Sequence, residues 1–553
     1  MLKGVVPFPA EFARRYRERG YWADKTLAQE FKIIFERYAD RVAVIDKERS
    51  FTYAELNRLS DNLALNLLDV LRPQDRVVIQ LLNSVEFIVL YLALQKIGCI
   101  PIAALPSHRY AEISQFVSLS GATMCVVPDR HGDFDYAKMI CRLLKDIPTL
   151  RHGIILGDER DGLASLSRMI TTPATRPVSV LSEIYIDPDD PAIFQLSGGT
   201  TGIPKLIPRT NNDYAYNSKI AADVCEVSQE SVLLVALPIA HNLPLACPGI
   251  QGFMFQGARV VVSTSTAPSD MCALIEKHRV THLKVVPALL IRLLNDPEVA
   301  RYDLSSLQFI QSGGQRLQPE VRRLAKKLIP NVFVQENFGM SEGLLMFVRR
   351  GDPADVCLET VGRPVSPDDE VRIVDENDAE VPFGAVGELC CRGPYTLRGY
   401  FGVPEYNARA FTSDGFYRSG DLMRQHPSGN YMVEGRKKDL INRGGEKISA
   451  EEIENFILSH PSVKNVACIA IPDSRMGERM CACVLLRDQF ALSFEELKHF
   501  LLGKEIAKYK LPERLEILPD FPLSTFGKVS KKELIEIVSK KMEVETQAQA
   551  ALS

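Results

Sequence analysis

Short apolar runs bounded by turn residues alternate with amphipathic helical stretches through most of this chain, and that rhythm restricts the fold more than any other feature. Tyr53 to Leu71 carries helical spacing, Arg76 to Leu81 reads as a strand, a helix is expected near Val85 to Ile97, and a strand at Ile100 to Ala104. The same order returns at Arg259 to Val262, Met271 to His278 and His282 to Val286. Strands separated by helices pair in parallel, and the helices cover the sheet. The class is therefore α/β. From Glu370 to Gly399 the pattern changes to short strands with Gly and Pro turns, which predicts a small β-barrel or a distorted sheet. After Arg436 the chain turns charged and Gly-rich, and a compact α+β pattern follows as far as Lys540. Glu545 to Ser553 lacks a periodic apolar face and is read as disordered. No internal repeat is visible. The 553 residues exceed what one core holds, so at least two domains are expected.

Composition excludes several function classes. With 46% hydrophobic and 25% charged residues the chain is an ordinary globular one. A net charge of −4 gives no reason to expect nucleic acid or an anionic membrane as partner. Arg14, Arg15, Arg17 and Arg19 stand among aromatics, but no apolar core of a signal peptide follows them. The most apolar segment, Phe87 to Leu105, is interrupted by Gln95, Lys96 and Pro101, which suits a buried helix and strand better than a membrane span. The 12 cysteines show no metal-ligand spacing. Cys481 and Cys483 share one face of a strand, a weak basis for zinc, and reduced thiols in a cytoplasmic protein are expected.

The chemistry concentrates in Leu196-Ser197-Gly198-Gly199-Thr200-Thr201-Gly202-Ile203-Pro204-Lys205, directly after the apolar Ala192-Ile193-Phe194. Glycines let backbone N–H groups curl around an anion, hydroxyls donate further bonds and a lysine adds charge. This composition suits a triphosphate cradle, so ATP is the expected ligand. It is not a Walker loop, because Lys205 follows a proline and Leu206-Ile207-Pro208 reads as extended chain rather than helix. A Gly/Thr run by itself also fits a plain surface loop.

Three further motifs lie far from the cradle: Asn337-Phe338-Gly339-Met340-Ser341-Glu342-Gly343, then Tyr417-Arg418-Ser419-Gly420-Asp421 with Glu434-Gly435-Arg436-Lys437-Lys438-Asp439, then Pro522-Leu523-Ser524-Thr525-Phe526-Gly527-Lys528-Val529. In this order and spacing they resemble the adenylate-forming superfamily of acyl-CoA ligases, luciferases and peptide-synthetase adenylation domains, over nearly the whole chain. Ala240-His241-Asn242-Leu243-Pro244-Leu245-Ala246-Cys247-Pro248-Gly249 and Asn442-Arg443-Gly444-Gly445-Glu446-Lys447 resemble the stand-alone aryl-acid adenylating enzymes of siderophore synthesis.

The resemblance implies a large N-terminal part, residues 1–436, built of two parallel α/β subdomains and a small β-barrel. A small mobile C-terminal α+β domain, residues 437–553, would hinge near Lys438. It also implies roles. Ser197, Thr200, Thr201 and Lys205, with Gly198, Gly199 and Gly202, would hold the β- and γ-phosphates. Glu342 would ligate Mg²⁺, a hard ion that takes carboxylate oxygen. Gly313, Gly314 and Gln315, with Glu336, Asn337, Phe338 and Gly339, would border the adenine and the aryl ring. Asp421 would accept from the ribose hydroxyls, with Arg436 beside them. Lys528 would be the catalytic lysine, stabilising charge that grows on the α-phosphate and the departing pyrophosphate. Lys531 and Lys532 are read as solvated. The Arg443-Gly444-Gly445 loop would admit a pantetheine arm in a second step. His241 would gate the aryl pocket or stand as a core histidine.

For the acid, Asn242 is expected to hydrogen-bond an ortho-hydroxyl. Cys247 and Leu345 follow the salicylate pattern rather than the serine and valine of dihydroxybenzoate enzymes, so salicylate is favoured over 2,3-dihydroxybenzoate. Asn337 replaces the usual apolar residue. Its amide could satisfy a further ring substituent or bond to backbone. Leu243 replaces an aromatic. No carrier-protein attachment segment is present in the chain, so the acceptor thiol is expected from a separate aryl carrier protein or from CoA. The rival class, a non-catalytic nucleotide-binding protein, would have no need for Lys528, Glu342 and Asp421 together.

Overall fold

The computed structural model describes all residues except 198–204, 315, 444–445, 474–475, 505, 507, 524–527 and 553, and the side chains of 438, 446–447 and 546–552 also lie outside the description. Among the described residues two large, mainly parallel sheets dominate. The seven-stranded one runs Leu206–Thr210, Pro191–Leu196, Ile100–Ala103, Arg76–Ile79, Met124–Pro128, His152–Leu156 and Ala164–Ser165. The nine-stranded one has Phe333–Met340, Phe309–Gly313, His282–Val285, Val232–Val235 and Arg259–Val262 as consecutive neighbours. Its central strands are apolar runs such as Val232-Leu-Leu-Val, buried at every residue, as expected for parallel strands covered on both faces.

Helix Val85–Lys96 explains the long apolar segment. Ten of its residues are buried, and Ser84 caps it by accepting from Phe87 N at 3.3 Å. Strand Ile100–Ala103 then lies inside the sheet. The short-stranded region after Glu370 takes the open form of the two expected, a four-stranded antiparallel sheet of Glu370–Val374, Gly387–Arg392, Tyr417–Gln425 and Tyr431–Arg436. From Leu440 onward a further sheet forms, with its own two apolar cores. Ile441, Ile453 and Leu497 lie in one, and Ile469, Cys481 and Cys483 in the other.

One expectation is corrected. Glu545 to Ser553 was expected to be unstructured, yet helix Lys531–Leu552 runs through all but the last of these residues. Ala, Gln and Glu are strong helix formers, so the backbone continues without an apolar face, and Arg514 binds Glu545 at 2.8 and 2.9 Å. No helix among the described residues is long and apolar enough to cross a membrane.

Candidate active site

The candidate site gathers at the carboxyl ends of the parallel strands, where open α/β sheets bind ligands. Helix Asn211–Val224 starts with a reciprocal cap, Asp213 N to Thr210 Oγ1 at 3.1 Å and Thr210 N to Asp213 Oδ2 at 2.6 Å. The same Asp213 receives Arg209 Nε at 2.8 Å in a wholly buried ion pair. Arg209 also donates to Ser341 O at 3.1 Å, which ties the motif around Glu342 to this helix. One turn along, Tyr214 faces Asn242.

The orientation of the Asn242 amide follows from its neighbours. Gln195 Nε2 donates to the Tyr214 hydroxyl at 3.1 Å, so that hydroxyl's own hydrogen goes to Asn242 Oδ1 at 2.8 Å. Asn242 Nδ2 then donates to Cys247 Sγ at 3.2 Å. Among the described residues its second hydrogen makes no bond. Asn217 Nδ2 also reaches the thiol, at 3.5 Å. Asn242 and Cys247 bracket the short helix Asn242–Ala246, and the chain turns back at Gly249, φ +54°, where a Cβ would meet Pro244 O at 2.5 Å. Only glycine fits there.

Strand register places the other pocket residues. Gly313 pairs with Asn337 and Gly339 with Leu345. A Cβ on Gly313 would collide with Asn337 Oδ1. Alternation along Phe333–Met340 puts Gln335 and Asn337 on one face and Glu336 on the other. There Glu336 is paired with buried Arg322 and accepts Leu317 N at 2.8 Å, so it offers its backbone, not its carboxylate, to the strand edge. Leu345 N is held by the Tyr395 hydroxyl at 3.3 Å. Leu243 is partly buried between two apolar cores, and Phe338 packs beside a third.

Next to strand Leu206–Thr210, Ser197 and Lys205 bond to each other, Ser197 N to Lys205 O at 3.0 Å and Lys205 N to Ser197 Oγ at 2.9 Å. The Lys205 ammonium lies 4.0 Å from the Tyr406 ring centroid, a cation–π contact. Gly198, Gly199, Thr200, Thr201 and Gly202 lie outside the described residues, as does Gln315. Glu342 Oε1 accepts the Tyr400 hydroxyl at 2.8 Å, and Tyr400 in turn meets Tyr417 at 2.9 Å. Burial raises the Glu342 carboxyl above its ordinary value, against the Tyr400 bond and the nearby Arg436. Asp421, 3% exposed, pairs across two strands with Arg436, whose Nε donates to its Oδ1 at 2.7 Å.

Lys528 comes to this site from the C-terminal sheet region. A Cβ on Gly314 would lie 3.0 Å from its Cε and 3.4 Å from its Nζ. His241 is close enough to feel that charge. Burial first, then Lys528 and His108, pull its imidazole down to about 3. It is therefore neutral at physiological pH. Lys531 is not solvated, as its sequence context suggested. Its ammonium binds Glu454 at 2.7 Å and docks the final helix, while Lys532 is exposed. Arg443 pairs with Glu513. Lys438 lies in the 3-10 turn Lys437–Asp439. Gly444 and Gly445 lie outside the described residues.

Sequence reasoning missed Arg209, Tyr214, Tyr400 and the buried Lys284. Each acts through a partner far along the chain, and no local motif marks it.

The AMP-binding enzyme family model matches residues 31–401, and the model of that family's C-terminal domain matches 452–528. A salicylyl-CoA synthase / salicylate adenylyltransferase of Streptomyces sp is 45% identical over 97% of this chain and 98% of its own length. A 2,3-dihydroxybenzoate-AMP ligase of Bacillus subtilis is 41% identical over 98% of this chain and 99% of its own. The apo structure of MbtA from Mycobacterium smegmatis is 41% identical, with a TM-score of 0.74 over 96% of this chain and 98% of that one. With its Lys528, Asp421 and Glu342 arranged as described and both family models matched, this chain belongs to the AMP-binding, adenylate-forming ligases.

Proposed function

We propose that the protein activates an ortho-hydroxylated aryl acid of the salicylate type with ATP, forming an aryl-AMP and releasing pyrophosphate. It then passes the aryl group to the phosphopantetheine thiol of a separate aryl carrier protein, in nonribosomal peptide synthesis of the siderophore kind. The observation that carries this reading is the fixed amide of Asn242. Tyr214 occupies its oxygen, so a free N–H is offered to an ortho-oxygen of the ring. An alkyl chain has no group to answer it.

The residues divide the work. The acid's carboxylate attacks the α-phosphorus, a P–O bond to pyrophosphate breaks, and charge accumulates on the non-bridging oxygens. Lys528 at Gly314 supplies positive charge there, and neutral His241 does not compete with it for the anion. Asp421 receives the ribose hydroxyls, and Arg436 holds its carboxylate in place. Ser197 and Lys205 fix the mouth of the phosphate loop. Glu342 fits Mg²⁺: it is a carboxylate with one oxygen anchored by Tyr400, near the carboxylate of Asp421, and a hard cation offsets that repulsion. When bound there, Mg²⁺ supplies charge to the triphosphate oxygens.

Cys247 favours salicylate over 2,3-dihydroxybenzoate. Its sulfur already receives two amide donors, and a 3-hydroxyl against it would lose a good hydrogen bond, a cost of about 1–3 kcal/mol. For the second half-reaction, residues 437–553 would swing about Lys438 as a domain, withdrawing Lys528 and bringing in the Arg443-Gly444-Gly445 loop. CoA is the second reading for the thiol, favoured by the Streptomyces relative named as a CoA synthase. Acid-dependent ATP–pyrophosphate exchange across a panel of benzoates, picolinates and anthranilates tests the first step. Thioester formation with an aryl carrier protein against CoA tests the second, and efficient turnover with CoA alone would remove the carrier protein from the account.

A further inference from the structure

Behind the Asn242–Cys247 segment lies an ammonium group that the reaction above does not use. Lys284 sits in the middle of strand His282–Val285 with 1% of its surface exposed. Its Nζ donates to Cys247 O at 2.6 Å. Among the described residues that is its one hydrogen bond, although an ammonium carries three hydrogens. Holding the Cys247 carbonyl is a structural role, and it accounts for one of them.

Register shows what lies beside it. Lys284 pairs with Gln311, Gln311 with Gln335, and Gly313 with Asn337. Strand alternation places all of these on one face, where Lys284 reaches Cys247 and Gln311 Nε2 reaches Cys225 Sγ and Gln335 Oε1, each at 2.7 Å. Asn337 is 5% exposed, and its Nδ2 has no partner among the described residues. Gln311 Oε1 is likewise unpartnered. This face therefore holds unused donors on two strands and one unused acceptor on the strand between them. Buried polar groups are normally paired, and a set of unpaired ones converging on a ligand pocket marks what the ligand must supply. Gly314, against Lys528, marks the reacting end. Lys284 lies three residues deeper in register, about 10 Å along the strands.

We propose that this face recognises a second polar group on the aryl acid. It would be a hydrogen-bond acceptor on the ring edge remote from the carboxylate, either a ring hydroxyl or a ring nitrogen, received by Lys284 Nζ and Asn337 Nδ2. The inference rests on the aryl-acid reading above and narrows its substrate class. Burial pulls the Lys284 ammonium down to about 8, so it keeps its proton near neutral pH and remains a full donor. A hydroxyl answers this face more completely than a ring nitrogen, because it can also donate to Gln311 Oε1.

The test is ATP–pyrophosphate exchange with isosteric pairs. In wild-type protein, 2,4-dihydroxybenzoate or 2,5-dihydroxybenzoate is expected to exceed the matching methylsalicylate in kcat/KM by about tenfold or more. Use of 3-hydroxyisonicotinate, whose ring nitrogen lies opposite the carboxylate, separates the nitrogen source from the hydroxyl. Lys284→Met and Asn337→Val should each collapse the hydroxyl-to-methyl ratio toward one. If Lys284→Met does not fold, Asn337→Val carries the test, since valine fits beside Gly313 without a polar atom. A wild-type preference for the methyl compounds, or a ratio untouched by Asn337→Val, overturns the inference. Exchange with salicylate but with none of the acceptor-bearing acids also overturns it, while no exchange with any aryl acid instead defeats the underlying function.

Discussion

Lys528 rests against Gly314: a Cβ at Gly314 would come within 3.0 Å of the lysine Cε and 3.4 Å of its ammonium nitrogen. The glycine sits at φ +88°, a region that side-chain-bearing residues rarely adopt. The position thus combines a backbone requirement with a steric one, and the group it would displace is the charge expected at the reacting phosphate. Gly314→Ala should cost about 1–3 kcal/mol in backbone strain. By moving the ammonium it should lower the exchange rate about tenfold to a hundredfold. An exchange rate within twofold of wild type would mean that the contact does not position Lys528 for chemistry.

Lys528→Ala removes the charge itself. The expected loss in adenylation is about a hundredfold to a thousandfold, the usual cost of deleting one transition-state stabiliser. Equilibrium binding of ATP should change only a few-fold, since the lysine acts on charge that develops later. Equal losses in ATP binding and in rate would reassign Lys528 to ground-state binding.

Cys247→Ser tests the reading of the pocket. Serine offers Asn242 and Asn217 a better acceptor than the thiol does, at sites now 3.2 and 3.5 Å from sulfur. Its hydroxyl can also pair with a 3-hydroxyl on the ring. The ratio of kcat/KM for 2,3-dihydroxybenzoate over salicylate should rise about tenfold. No change in that ratio would show that Cys247 does not meet the 3-position.

Asp369 gives a pH signature outside the chemistry. Its carboxyl accepts the Tyr395 hydroxyl, while Oδ1 has no partner among the described residues. Burial pushes its pKa up to about 8, against the bond from Tyr395. The folded protein therefore keeps a proton that the unfolded chain releases near pH 4, so this group's contribution is fully present at acid pH and is lost as pH rises toward about 8. Asp369→Asn has no proton to release. Its stability relative to wild type, from urea melts across that range, should improve as pH rises, and a constant difference would contradict the assignment.

Sequence alone carried much of the fold because local signals were strong. Arg259–Val262 matches the expected strand residue for residue, being a β-branched run between turns. The apolar segment from Phe87 resolves into a helix and a strand, divided at Gly98, φ +66°. The tail from Glu545 has no apolar face, and helix propensity alone continues the helix there, a signal that hydrophobic periodicity does not carry. In the site, residues inside compact motifs, such as Asp421 and Glu342, were visible. The tyrosines that hold Glu342 and Asn242 were not: Tyr400 is 58 positions from Glu342, and Tyr214 is 28 from Asn242. Lys284 reads as one cation in a strand, and only the register of three neighbouring strands places it on the face shared by Gln311, Gly313 and Asn337.

The central claim is that a carboxylate oxygen of an aryl acid attacks the α-phosphorus of ATP in the pocket between Asn242 and Lys528. Supplying salicylate with heavy oxygen in its carboxylate, then isolating the nucleotide and the pyrophosphate after thioester formation, tests this directly. The account predicts one labelled oxygen in AMP and none in pyrophosphate. Label in pyrophosphate, or unlabelled AMP alongside aryl thioester, would contradict it.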